Sequence, residues 1–390
     1  MELERPDKIS PLKAVCGLLC VLVLASNLWS MSRWNEARGV FDDVCYLRQA
    51  HLFQRFGLSG FNTDISRDDD RYLKNKLKEI GFPSWNDAAS APCHTPMPAL
   101  KKSVIQYPPG TGLLMALFPQ GHQVVPLYAL ATIAVFGFAL LAIWRARTTR
   151  AILLAGAFGC LAVYLMINPS KASYSMAPTM AVCALAGFLT PHWLNPKQHA
   201  YRIPLTMLLG ALLGLAADFR LPNLFLSAGY FLFFFVALVS SRRVSVALQG
   251  ALFALAFLCG LAPTLVSNAI NAGSPFATTY GAADVVAPEV SVAIVWQYLA
   301  DTQSVLLVLA IAGTIHLLRT GAQGARRVAL LTAMNLAVNL AFFLSHPVFT
   351  PYYTIPISML SLWSLLFASL MQNAEAVDGR FAGGAAHARS

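Results

Sequence analysis

Two acidic residues, Asp42 and Asp43, open the stretch FDDVCYLRQAHLFQRFG at residues 41–57, directly after an apolar run. A carboxylate with an aspartate's usual pKa of about 3.9 is ionised at neutral pH and can take a proton from a hydroxyl. The same pair at a helix start could instead cap free amides and complement the helix dipole. Two cations in short connections, Lys171 in NPSKASYS (168–175) and Arg220 in ADFRLPN (217–223), could bind negative charge on a ligand. Aromatic and imidazole groups add to these. Tyr46 lies one helical turn past the acids, and Tyr107 precedes the Pro-Pro-Gly of IQYPPGTGLLMALFP (105–119). Tyr280 ends NAINAGSPFATTYG (268–281), and His346, Tyr352 and Tyr353 fall in SHPVFTPYYTIP (345–356). Taken singly, each tyrosine is also a membrane-boundary anchor.

The elements that must position these groups are apolar. Hydrophobic residues make up 57% of the chain and charged ones 12%, against about one-quarter charged in soluble domains. Crossing a hydrocarbon core of about 30 Å takes roughly 17–25 helical residues. Ten runs bounded by charge fit: 14–31, 122–144, 151–168, 174–190, 203–218, 223–240, 245–266, 303–318, 328–344 and 352–371. The expected fold is therefore all-α, a polytopic transmembrane bundle over 1–371. Its first outer loop spans about 32–121, and 372–390 is a disordered cytoplasmic tail. No small-x-small cleavage site follows 14–31, so that run is read as a span and not a leader.

Lysine and arginine mark alternate connections: Arg145, Arg147 and Arg150; Lys197 and Arg202; Arg242 and Arg243; Arg319, Arg326 and Arg327. By the positive-inside rule both termini are cytoplasmic, and Asp42, Asp43 and the connections carrying Lys171 and Arg220 are outside. The excess of 28 Lys+Arg over 18 Asp+Glu is thus topological. With no basic stripe or aromatic-interleaved patch, nucleic acid is not an expected partner.

Within the first outer loop, helical spacing puts Tyr46, Ala50 and Phe53 on one face of 41–57 and Arg48, His51 and Arg55 on the other, the pattern of a helix lying along the membrane. In RDDDRYLKNKLKEIG (67–81), Leu73, Leu77 and Ile80 form a stripe with acids in the first turn, a surface helix. Consecutive acids such as Asp68, Asp69 and Asp70 point in different directions and form no calcium loop, so no motif supports a divalent metal and no other cofactor is expected. The apolar run after Pro-Pro-Gly is too short to span and reads as a re-entrant or interfacial segment. Cys45 and Cys93 share the outer loop, where an oxidising compartment would permit a disulfide; two unpaired thiols is the other reading. The other five cysteines sit in or beside spans. Asn335 and Asn339 are expected to join helices by hydrogen bonds. No span holds an Asp, Glu, Lys or Arg in its middle and no inverted repeat is evident, which argues against a secondary transporter.

The order of these features resembles the GT-C class of membrane glycosyltransferases, which includes the protein O-mannosyltransferases and the aminoarabinose transferase acting on lipid A. The resemblance rests on Asp42-Asp43-x-x-Tyr46-Leu47-x-x-Ala50 after the first span, YPPG before the second, and GALLGLAADFRLPN. A late N…GSP…Y segment and the closing PYYTIP complete it, over most of 1–371. It departs in having Asp43 where glutamate is common, in Lys171, Tyr174 and Ser175 where some members carry another acid, and in showing no large C-terminal soluble domain. What it implies is transfer of a sugar from a polyprenyl-phosphate donor to a hydroxyl of a glycan, lipid or protein acceptor. That reaction would run on the periplasmic side of a bacterial inner membrane, with membrane lipids around the protein. Asp42 would be the base, assisted by Asp43, and Arg220 and Lys171 would bind the donor phosphate. Tyr46, Tyr107, Tyr280, His346, Tyr352 and Tyr353 would line the substrate cavity. The competing reading is a transporter or flippase of a lipid-linked saccharide.

Overall fold

The computed structural model describes residues 10–36, 39–87, 90–168, 173–196, 199–280, 287–346, 348–350 and 352–387; for Asp42, His199 and 374–387 it describes the backbone alone. In chain order the helices are α1 (Pro11–Met31), α2 (Val44–Phe56), α3 (Tyr72–Glu79), α4 (Gly110–Met115), α5 (Val124–Arg145), α6 (Thr149–Tyr164), α7 (Met176–Leu194) and α8 (Arg202–Phe219). They continue with α9 (Leu224–Ser241), α10 (Val244–Gly260), α11 (Ala262–Ala272), α12 (Val292–Ala300), α13 (Gln303–Thr320), α14 (Gln323–Ser345) and α15 (Ile355–His387). One antiparallel hairpin, β1 (His94–Met97) with β2 (Lys102–Ile105), pairs His94 with Ile105 and Met97 with Lys102.

All ten expected spans are helical. Seven helices (α1, α5, α8, α9, α13, α14 and α15) are each long and apolar enough to cross a membrane, and the pair α10–α11, bent by 57°, makes an eighth if taken together. Two helices fall outside that test for different reasons. At 16 residues α6 is short, about 24 Å at roughly 1.5 Å per residue. The 19 residues of α7 are nearly all buried; a helix surrounded by other helices can carry Thr179, Thr190 and His192 at little cost, because its neighbours and not lipid solvate them. The bundle's exterior is apolar, with Leu18 and Leu22 on α1, Phe235 and Val239 on α9, Leu248 and Leu255 on α10, and Val305 and Val308 on α13 all exposed. A surface of that kind is solvated by lipid, and the protein is an integral membrane protein.

Small residues and amides join the helices. A Cβ on Gly214 or Gly260 would collide with the carbonyl of Phe257 or Ala211, so α8 and α10 meet backbone to backbone. Asn335 Nδ2 donates to the Leu226 carbonyl (2.9 Å) and its Oδ1 accepts from Gly229 N (3.1 Å), while Asn339 Nδ2 donates to the Phe225 carbonyl (2.8 Å). The expected role of both asparagines as interhelix ties is borne out.

The described residues within 32–123 form a layer over one end of the bundle, with a second small core of Val44, Cys45, Leu73, Leu77, Cys93 and Ile105. Two local readings change here, and one element is new. Of the polar face expected on α2, Arg48 is fully buried behind the helix and His51 is half-buried, and Arg55 alone stays exposed. The three acids precede α3 rather than occupy its first turn: Asp68 accepts from Leu73 N (2.8 Å) and Lys74 N (3.4 Å), and Arg71 turns the chain at φ 60°. The β1–β2 hairpin was masked in the sequence by Pro96 and Pro98, which weaken a strand reading.

Candidate functional site

The site is built around the two ends of α2. At its start, the 3₁₀ turn Phe41–Asp43 leads into the helix. Asp43 occupies the N-cap position but makes no side-chain bond to the amides of α2. It is buried, and its carboxylate reaches across the bundle. Oδ1 accepts from Ser173 Oγ (2.7 Å) and Tyr174 N (3.0 Å), and Oδ2 accepts from Val40 N (3.0 Å). The Tyr174 hydroxyl completes the tie by donating to the Glu36 carbonyl (2.7 Å) and accepting from Gly39 N (3.0 Å). Gly39 is required by closeness, because a Cβ there would lie 2.6 Å from Asp43 Oδ2 and 2.7 Å from the Tyr174 ring. Asp43 thus fastens the α1–α2 linker to the start of α7. Asp42 sits in the 3₁₀ turn, but its side chain lies outside the described residues, as does Lys171.

The Pro-Pro-Gly segment is fixed against the other flank of α2. Gln49 Nε2 donates to the Tyr107 carbonyl (2.8 Å), and Thr111 Oγ1 donates to the Phe219 carbonyl (3.1 Å). Short helix α4 fits between α2 and the end of α8 only because Gly110 and Gly112 lack side chains; a Cβ would strike Asp218 or Gln49. Asp218 is itself buried and accepts from Thr264 Oγ1 (2.6 Å), tying α8 to α11. These contacts stack the Tyr107 ring on Tyr46, with centroids 5.4 Å apart, and set Tyr280 6.2 Å from Tyr107.

Behind α2 a disulfide joins Cys45 to Cys93, with Cα atoms 6.5 Å apart. His94 lies beside it, and the three side chains are close enough to hold a metal. The hydrogen bonds argue otherwise. Arg48 Nη1, which can only donate, is 2.8 Å from His94 Nε2. The ring hydrogen must then be on Nδ1, 2.8 Å from the Pro92 carbonyl, and Nδ1 is the nitrogen facing Cys45 Sγ at 3.7 Å. The donor pair of Nδ1 is thereby used up. Burial, together with the neighbouring Arg48 charge, holds the His94 pKa down to about 3. Arg48 also donates to the carbonyls of Thr63 and Asp64, each at 2.8 Å.

In front of α2 lies a cavity of about 610 Å³. Seven residues singled out in the sequence line it together: Tyr46, Tyr107, Arg220, Tyr280, His346, Tyr352 and Tyr353. Arg220 follows the end of α8, where Asn223 Nδ2 holds the last turn through the Ala216 carbonyl (2.7 Å) and reaches Thr179 Oγ1 (2.8 Å). The guanidinium lies 4.4 Å from the Tyr352 ring centre and 4.6 Å from that of Tyr353, and Nη1 donates to Met176 Sδ (3.4 Å). Among the described residues no carboxylate pairs with Arg220, although it is only 8% exposed. Rings and a thioether stabilise a cation without neutralising it, so the wall stays electropositive. Burial pushes the Tyr46 phenol well above its usual range, which keeps it neutral.

Asp43 does not line this cavity; Ser173, to which it is bonded, does. Sequence reasoning missed Ser173, since nothing distinguishes one serine of NPSKASYS from another. It also missed Phe225 and Phe342, which line the cavity and stack with centroids 3.7 Å apart, because span phenylalanines look like lipid-facing ones. Comparison of the chain with protein-family models, curated proteins and solved structures finds no match.

Proposed function

We propose that this membrane protein is a glycosyltransferase that moves a sugar from a polyprenyl-phosphate donor to an acceptor hydroxyl in the cavity in front of α2. One observation carries the reading. A buried arginine with no carboxylate partner among the described residues faces a hollow of about 610 Å³, shared with six polar aromatic or imidazole side chains drawn from distant parts of the chain. Such a wall suits a ligand that is anionic at one end and hydroxyl-rich at the other. Phe225 and Phe342 give it an apolar border suited to a prenyl chain.

In the proposed reaction the acceptor oxygen attacks the anomeric carbon as its proton passes to the Asp42 carboxylate. The bond from that carbon to the phosphate oxygen breaks, and polyprenyl phosphate leaves with its charge met by Arg220, aided by Lys171. A single displacement inverts the anomeric centre. Asp43, bonded to Val40 N, Ser173 and Tyr174 N, positions the turn that carries Asp42. The site would face the periplasmic side, with both termini in the cytoplasm, as the distribution of lysine and arginine in the short connections suggests. The acceptor is a glycan, lipid or protein hydroxyl.

The test is to incubate purified protein with a panel of polyprenyl-phosphate sugars and measure acceptor-dependent release of polyprenyl phosphate. Asp42→Asn should cut transfer by about 10²–10⁴-fold, the usual worth of a positioned base, with donor binding intact. Undiminished transfer by that variant removes the assignment. Movement of donor between liposome leaflets without its consumption favours a flippase instead.

A further inference from the structure

A second hollow, of about 310 Å³, lies on the flank of the bundle between α6, α13 and α15. Its floor is the face of α15 that carries Leu365 and Leu366, both buried, and its walls are α6 and α13, where Leu154 and Leu309 are exposed. Two small residues hollow those walls. Ala157 leaves α6 open, and on α13 a Cβ on Gly313 would already stand 3.2 Å from Leu365 Cδ1. The direction of each wall is fixed by its partners. Helix α13 starts beside the cavity in front of α2, where Gln303 Oε1 accepts from Thr354 N (3.1 Å), and α6 ends beside the end of α1, where Asn27 Nδ2 donates to the Val163 carbonyl (2.7 Å). The start of α6 and the end of α13 therefore mark the mouth of the groove at the opposite end of the bundle. Its polar lining side chains, His316 and Ser369, lie toward that mouth. Beyond them are two exposed cations: Arg150, one turn before Leu154 on the same face of α6, and Arg319, one turn past His316 on α13. Among the described residues no carboxylate pairs with either arginine.

We propose that this groove is a binding site for an anionic phospholipid, with an acyl chain between α6 and α13 and the phosphate between Arg150 and Arg319. The orientation rule accounts for arginines in a connection, but not for an apolar track hollowed out beneath them. An anionic lipid matches both parts, because its charge sits at the membrane boundary directly above its chain. A partner helix laid in the groove would cover the same leucines and bring no anion to the two arginines. By the distribution of lysine and arginine, the lipid belongs to the cytoplasmic leaflet. The site is thus separate from the cavity in front of α2 and does not depend on the glycosyltransferase reading.

Two lipids with the same chains separate charge from chain: dioleoyl phosphatidylglycerol and dioleoyl phosphatidylcholine, titrated into the full-length protein in a neutral detergent and counted by native mass spectrometry. The wild type should bind phosphatidylglycerol roughly tenfold or more tightly, the worth of two arginines near a membrane surface. Exchanging both arginines, Arg150→Gln with Arg319→Gln, should bring the two lipids level. Ala157→Leu fills the hollow without touching the charges and should weaken both lipids by about tenfold, through lost burial of methylene groups. Gly313→Leu, on the facing wall, should do the same and keeps the test open if Ala157→Leu does not fold. Equal affinities in the wild type mean an unselective lipid shell and overturn the site, as does a preference that survives the double exchange or binding that neither filling variant weakens. A lipid-free dimer that the filling variants dissociate would give the groove to a second copy of the chain and overturn it as well.

Discussion

Two buried arginines lie on opposite sides of α2 and have opposite surroundings. Behind the helix, Arg48 spends its terminal nitrogens on the carbonyls of Thr63 and Asp64 and on His94, and a disulfide closes the region. In front of it, Arg220 has two tyrosine faces and a thioether, and a cavity beyond them. Desolvating a guanidinium is costly, so its oxygen partners reveal its purpose. Where the chain supplies them the arginine is architecture. Where the chain withholds them, the proposed function supplies the missing oxygens from the donor phosphate.

Exchange of each arginine for a neutral side chain is the sharpest way to break this comparison. Arg48→Met should cost about 3 kcal/mol or more of stability, because two carbonyls and an imidazole nitrogen lose their donor in a closed space. The measurement is the chemical-denaturation midpoint in detergent, and an unshifted midpoint would sink the architectural reading. Next in size is the disulfide, which spans 48 residues. Converting Cys45 and Cys93 to serine should cost about 2–4 kcal/mol by freeing the unfolded loop. The loss should fall on the hairpin layer first, seen as faster amide exchange in β1 and β2 than in α7 or α15. Uniform exchange across those elements would mean the bridge does not set the layer's local stability. Smaller again, Arg220→Gln should leave the midpoint within about 0.5 kcal/mol. The same variant should weaken alkyl phosphate binding by roughly ten- to a hundredfold, the worth of a charge-assisted hydrogen bond. A variant that unfolds with unchanged binding would make Arg220 a second Arg48.

The same contrast explains what could be read from sequence. Helix positions followed from apolar run length. Counting basic residues loop by loop put Arg220, Tyr280, His346, Tyr352 and Tyr353 at one end of the bundle, where they line a common cavity. Unusual residues at chain turns are visible because composition marks them. The back of α2 was not legible, because amphipathic spacing equates a polar face with water, and here Arg48 meets another protein layer while Arg55 of the same face stays exposed. That layer's hairpin includes two prolines, and its pairing depends on contacts 5 to 11 residues apart that no local preference announces. Asp43 and Ser173 illustrate the remaining gap. Acid type and position were plain in the sequence, but the 130-residue separation between hydrogen-bond partners carries no local signal.

Acid provides the smallest and most selective probe of the region behind α2. His94 has its pKa held down to about 3 by burial and by the Arg48 charge, whereas in the unfolded chain it titrates near its ordinary value of 6.5. Between those two values the unfolded state binds the proton and the folded state does not, so the stability His94 contributes is present above pH 6.5 and is lost as pH falls toward 3. From pH 7 to pH 5.5 this single group should remove about 1 kcal/mol. His94→Asn can keep an acceptor for Arg48 while deleting the titration, so its stability should vary less over that interval than the wild type's. Alkyl phosphate affinity at Arg220 should show no matching step, because the imidazole is screened from the cavity by α2. Equal pH slopes for the two proteins would mean that the His94–Arg48 contact opens in solution, and the back of α2 would then be as available to ligands as the front.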